Sequence, residues 1–300
     1  MSDYDIRTYG DVEGEDGSEL AGQMGEQRAR VRRRLETVDR LVAVMSGKGG
    51  VGKSFVAAAL AASLAARDQR AGLVDADLDS PTAARMLGAG REPLRVGEGD
   101  VAPARAAGVR LISTDLLLEE EAPLRWRGPD GGGFVWRGTQ ERGVLREFLG
   151  DVAWGPLDWL LVDLPPGTAR LEQMLDLVPD PTGVVAVTLP GEASRASVER
   201  SLRLASERDV TLLGVVENMT GYACPGCGEV GDLFPGDAGR RLADAFGVPL
   251  LGSVPFDPRA AGLADVGGIG ELLAETGAGA SLERIARALG GRIDGEGGDG

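Results

Sequence analysis

An eight-residue run, Gly47-Lys48-Gly49-Gly50-Val51-Gly52-Lys53-Ser54, restricts this chain more tightly than any other feature. A short apolar stretch, Leu41–Met45, precedes it, and an Ala-rich stretch of helical character, Lys53–Arg67, follows. Strand, loop and helix in that order, with the spacing G-x-x-x-x-G-K-[ST], make a cradle for phosphate. The glycines let successive backbone N–H groups close round anionic oxygens, and the helix N-terminus presents the positive end of its dipole. Lys53 then reaches the β- and γ-phosphates, and the Ser54 hydroxyl is placed to ligate Mg²⁺. A chance Gly-rich turn would not bring strand, Lys-Ser pair and helix into register. The run predicts that the chain binds ATP with Mg²⁺.

The rest of the chain continues the alternation. Strand-like apolar runs fall at Gly72–Val74, Val109–Ile112, Trp159–Val162, Gly183–Leu189, Thr211–Val216 and Leu250–Val254. Helical patterns lie between most of them, at Arg142–Leu149, Ser194–Glu207 and Ala238–Phe246. Near-continuous apolar strands separated by helices predict an α/β fold, a mostly parallel sheet with helices on both faces. The expected organisation is a disordered acidic lead over 1–22, a charged helix over 23–38, one domain over 39–289 and an acidic Gly-rich tail over 290–300. Trp-Arg-Gly occurs twice, at 126–128 and 136–138, which reads as a small loop duplication.

Composition removes several function classes. A net charge of −15 opposes sequence-independent binding to nucleic acid and docking on anionic lipid. No apolar run approaches the roughly 20 residues of a membrane helix, and the acidic first residues are the reverse of a targeting peptide. The expected location is the cytoplasm. Histidine is absent, which excludes His-dependent nucleophile and metal chemistry. Of the 32 basic residues only Lys48 and Lys53 are lysines, and both lie in the phosphate loop. There a compact ammonium serves better than a planar guanidinium.

Two further runs end in carboxylates: Asp75-Ala76-Asp77, and Asp163-Leu164-Pro165-Pro166-Gly167-Thr168. Acids at strand tips beside a phosphate loop suit water-mediated hold on Mg²⁺, by Asp75 and Asp163, and orientation of an attacking water, by Asp77. An isolated Asp at a strand end can equally be a turn or helix cap. The only cysteines, Cys224 and Cys227, sit in a Cys-Pro-Gly-Cys-Gly turn. Two thiolates at that spacing can grip one metal, but two ligands leave a tetrahedral site half filled, so a second chain must complete it. By spacing alone, a zinc knuckle, an iron–sulfur ligand set and a redox dithiol all remain open.

Lys48 makes the phosphate loop resemble the deviant form of MinD-, ParA- and nitrogenase-iron-protein-like ATPases. From about Leu41 to Gly268 the chain resembles the Mrp/ApbC family of iron–sulfur cluster carriers. The motifs that carry this are the loop, Asp75–Thr82, Trp136-Arg137-Gly138, 154–158, 163–168, Glu217-Asn218-Met219, the Cys turn and Pro255-Phe256-Asp257-Pro258. The resemblance implies a homodimer in which Lys48 crosses to the partner's nucleotide. It implies a 4Fe–4S cluster bridging Cys224 and Cys227 of both chains, for delivery to apo iron–sulfur proteins. Asn218 matches the adenine-contacting position, and Pro255 and Asp257 are implied beside the base. The sequence departs from the family at Asp79-Ser80 and Ala169-Arg170, in the two switch segments. Two other readings stay open: a spatial-organising ATPase of MinD/ParA type, and a regulatory ATPase stapled by zinc. The first would use the apolar stripe Leu282, Ile285, Ala286 and Leu289 on a membrane; packing into the core is the better expectation for that stripe.

Overall fold

The computed structural model describes residues 20–78, 80–90, 100–116, 143–178, 180–224, 226–227 and 229–295. The acidic lead up to residue 19, Asp79, the Trp-Arg-Gly pair and the last five residues lie outside the described residues.

Strands β1 (Leu41–Ser46), β2 (Ala71–Asp75), β5 (Trp159–Asp163) and β6 (Gly183–Thr188) are buried along their whole length. Such strands need cover on both faces, and helices provide it. With β3 (Ala104–Ala106), β4 (Val109–Ser113), β7 (Leu212–Ala223), β8 (Val230–Asp232) and β9 (Leu250–Phe256), they form one sheet ordered β3-β4-β2-β5-β1-β6-β7-β8, with β9 also on β7. Every pairing is parallel except the short edge pairs β3–β4 and β7–β8.

Alternation along β1 divides the core. Val42 and Val44 face α2 (Lys53–Ala65), α9 (Ile269–Glu275) and α10 (Gly277–Asp294). Ala43 and Met45 face the other layer. That layer holds Val31 of α1 (Leu20–Leu35), Phe148 of the helical residues 143–150 (α4), Met174 of α5 (Thr168–Leu177), Val198 of α6 (Glu192–Glu207) and Leu242 of α7 (Ala238–Phe246). Helix α2 is buried on nearly every side, which explains its run of alanines: small side chains let it approach β1 and β2 beneath α10. Leu282, Ile285, Ala286 and Leu289 are all buried in the first layer, so this stripe is core. No helix among the described residues is long and apolar enough to cross a membrane.

Three boundaries differ from the sequence reading. Helix α1 begins at Leu20, and its Val31 is fully buried, so the charged helix is docked on the domain. Helix α10 runs on to Asp294 and takes up the first residues of the expected tail. Strand β7 extends through Ala223, so Glu217–Ala223, expected to follow a strand, are themselves strand. Local pattern could not reveal this, because the extension is held by pairing with β8 and β9. Helices α3 (Ala83–Met86) and α8 (Pro258–Asp265) complete the fold.

Candidate nucleotide site and cysteine turn

Parallel strands in register bring their carboxyl ends to one rim, where α/β sheets bind ligands. The loop 47–52 leaves β1 there. Asp75 and Asp163 are direct neighbours across the β2–β5 pair. Gly50 and Gly52 both have φ 78°, the left-handed conformation the loop requires. Gly52 precedes α2 without a side-chain cap, so among the described residues no capping side chain occupies the amides of that helix's first turn.

The loop carbonyls are held from outside by three side chains. Ser46 Oγ donates to Lys48 O at 3.0 Å, Ser197 Oγ to Gly47 O at 2.6 Å, and Asn218 Nδ2 to Val51 O at 2.9 Å. Tying carbonyls outward leaves N–H groups to converge on an anion. The fit is close: a Cβ on Gly47 would lie 2.3 Å from the Ser197 carbonyl carbon, and one on Gly52 would lie 2.2 Å from Asn218 Nδ2. Ser46 and Ser197 carried no signal in the sequence, because their role exists only once β1 and α6 flank the loop.

Lys53 is buried, with Nζ 2.5 Å from Asp163 Oδ1 and 3.4 Å from Ser54 Oγ. Asp163 Oδ2 is buried without a partner among the described residues. Burial raises the Asp163 pKa, opposed chiefly by the Lys53 charge. Asp75 is pushed up to about 7, first by burial and then by the nearby Asp163 charge. Its Oδ2 accepts from Thr82 N, Ala83 N and Ser113 Oγ, each at 3.1 Å, so it ties the start of α3 to β4. Ser113 was missed by sequence reasoning. Asp77 is half buried and lines a recess of about 20 Å³ with Leu164, Pro165 and Arg170, which follow β5. That space holds about one water. Lys48 is exposed, and its ammonium has no ion pair among the described residues.

Asn218, Pro255 and Asp257 come together with Gly52, Phe55 and Met219 round a cleft of about 180 Å³ beside the start of α2. The Asn218 amide nitrogen is engaged with the loop, and Asp257 Oδ1 caps α8 by accepting from Arg259 N and Ala260 N. Glu217, which the sequence offers only as part of a motif, is buried, and Oε1 accepts from Gly239 N at 2.7 Å, joining β7 to the start of α7.

Cys224 and Cys227 are free thiols at the tip of the β7–β8 hairpin, half buried and exposed respectively. Cys224 N donates to Glu229 O at 2.9 Å, closing the turn. Backbone N–H groups of Cys227 and Gly226 pull the Cys224 pKa down. Among the described residues no group of three or more potential metal ligands forms within the chain.

Residues 37–289 match the profile of the family described as NUBPL iron-transfer P-loop NTPases, of the ParA group. The iron-sulfur cluster carrier protein of Saccharolobus solfataricus is 38% identical over 241 residues, covering 79% of this chain and 78% of the relative. The human cytosolic Fe-S cluster assembly factor NUBP2 is 39% identical over 230 residues, covering 75% and 82%. The structure of a nucleotide-binding protein from Archaeoglobus fulgidus in complex with ADP is 34% identical, with TM-score 0.68, covering 81% of this chain and 93% of that one.

Proposed function

Because the chain belongs to the NUBPL-type iron-transfer P-loop NTPase family, we propose that it is a cytoplasmic, ATP-hydrolysing carrier that holds a 4Fe–4S cluster between two copies and delivers it to apo iron–sulfur proteins. The carrying observation is that two thiols stand on a hairpin of β7, the strand whose Asn218 also anchors the phosphate loop. The two thiols of one chain are half of a four-thiolate set, and a second copy supplies the rest.

At the nucleotide end, the loop N–H groups and α2 receive the phosphates. Lys53 exchanges Asp163 for the β- and γ-phosphate oxygens. The unpartnered Asp163 Oδ2 and the Ser54 hydroxyl are hard oxygen donors that fit Mg²⁺, with Asp75 one strand further off. Mg²⁺ supplies charge neutralisation on the phosphates. Asp77 orients the water that attacks the γ-phosphorus, breaking the bond to the β–γ bridging oxygen and leaving ADP and phosphate. Lys48 of each copy reaches the other's nucleotide.

Anaerobic reconstitution with iron and sulfide tests the cargo. The expected product is brown, with about four irons per dimer. Cys224→Ser and Cys227→Ser each abolish the iron while nucleotide affinity persists. Stoichiometric zinc retained through reconstitution would overturn the iron–sulfur reading.

A further inference from the structure

We propose that Tyr222, stacked on Phe256, is a positioning residue that transmits occupancy of the nucleotide cleft to the Cys224–Cys227 turn. The inference rests on the nucleotide and thiol sites described above and assigns a physical connection between them. Strand β7 pairs in parallel with β9 up to Asn218 opposite Val254, and the next pairing is Tyr222 opposite Phe256. Four steps along β7 therefore match two along β9, so β7 bulges between Asn218 and Tyr222. The bulge is taken up at Met219, whose φ of 57° is left-handed, an uncommon state for a long side chain. Such backbone persists only where its surroundings hold it, and here those surroundings are the cleft.

The bulged segment is attached to the nucleotide site at three points. Asn218 is bonded to Val51 of the phosphate loop. Met219 forms part of the cleft wall. The Tyr222 ring stacks on Phe256, also a wall residue, with centroids 6.4 Å apart and planes at 22°. Cys224 follows two residues later, and Tyr222 is paired to Gly231 on the returning strand of the hairpin. Any ligand that displaces Phe256 or Met219 thus shifts the root of the thiol turn. Tyr222 is 38% exposed and does not line the cleft itself, so its ring can be removed without removing a nucleotide contact.

The test uses full-length, metal-free, reduced protein. Alkylation of Cys224 and Cys227 by iodoacetamide is followed by mass spectrometry with and without saturating ADP or Mg-ATP, and nucleotide affinity is measured on the same samples. In the unsubstituted protein nucleotide should change the alkylation rate by about fivefold, the lower end of ordinary coupling between two sites. Tyr222→Ala should bind nucleotide with unchanged affinity yet show the same rate with and without it. Tyr222→Phe, which keeps the ring, should respond as the unsubstituted protein does. Tyr222→Leu, which keeps apolar bulk without the ring, is judged by the same criterion if Tyr222→Ala does not fold. A response that survives deletion of the ring in the folded variant, or no response where nucleotide binds normally, overturns the inference and leaves the carrier reading standing. Failure of the unsubstituted protein to bind nucleotide overturns the reading itself.

Discussion

Asp75 and Asp163 meet side by side on adjacent parallel strands, both without exposed surface, and only one ammonium, that of Lys53, lies between them and neutrality. Two buried like charges raise each other's proton affinity, and burial adds to it. Asp75 is accordingly pushed from an ordinary 3.8 up to about 7. A carboxyl whose folded pKa exceeds its unfolded value keeps a proton that the unfolded chain has released. Folding stability from this group therefore falls as pH rises from about 4 to about 7. At about 1.4 kcal/mol per pKa unit, the loss is on the order of a few kcal/mol, shared with Asp163. The melting temperature of nucleotide-free, magnesium-free protein should decline across that window, and Asp75→Asn should flatten the decline. An unchanged slope in the variant would remove Asp75 as its source. Ser113 and the Thr82 and Ala83 amides still find an acceptor in Asn, so the substitution tests charge more than shape.

At the scale of elements, the phosphate loop is a joint between β1, α2, α6 and β7. Helix α6 comes so near that Gly47 has no room for a Cβ, and Ser197 closes the contact through its hydrogen bond to Gly47 O. Ser197→Ala deletes one such bond, worth about 1 kcal/mol. If that bond preorganises the loop, ADP affinity measured by calorimetry should fall by roughly fivefold. A drop in melting temperature with unchanged affinity would instead assign Ser197 to helix docking alone. The neighbouring Asn218 shows how one side chain can be shared: its amide steadies Val51, and its flank lines the cleft.

For the whole molecule, the exposed Lys48 is the decisive residue. It lies in the phosphate loop, yet its ammonium has no ion pair among the described residues, whereas Lys53 is buried against Asp163. A lysine serving a second copy would be left outward in one chain. Lys48→Ala should spare most ATP affinity and reduce hydrolysis. Mixing it with Asp77→Ala chains gives the critical measurement. In a mixed dimer the Asp77→Ala chain lends its Lys48 to the other chain's otherwise intact site, so one working site returns. Activity no higher than either parent, with subunit exchange demonstrated, would show that Lys48 acts within its own chain.

The phosphate loop, the parallel α/β class and every strand but the short edge pieces β3 and β8 can be read from the amino-acid sequence alone. Each of these is written in local spacing: glycines and Lys-Ser at a helix start, and apolar runs too continuous for a half-exposed strand. The sequence also marked Asp75, Asp163 and the two cysteines, since each stands beside a strand end or in a tight turn. That Asp75 and Asp163 are neighbours emerges only on folding, because β2 and β5 are separated by more than eighty residues of chain. Only the tertiary structure placed Ser197 on Gly47, extended β7 into the cysteine hairpin and set Tyr222 on Phe256. Those contacts join side chains from distant segments, and their energy comes from burial and pairing between elements, which no local pattern records.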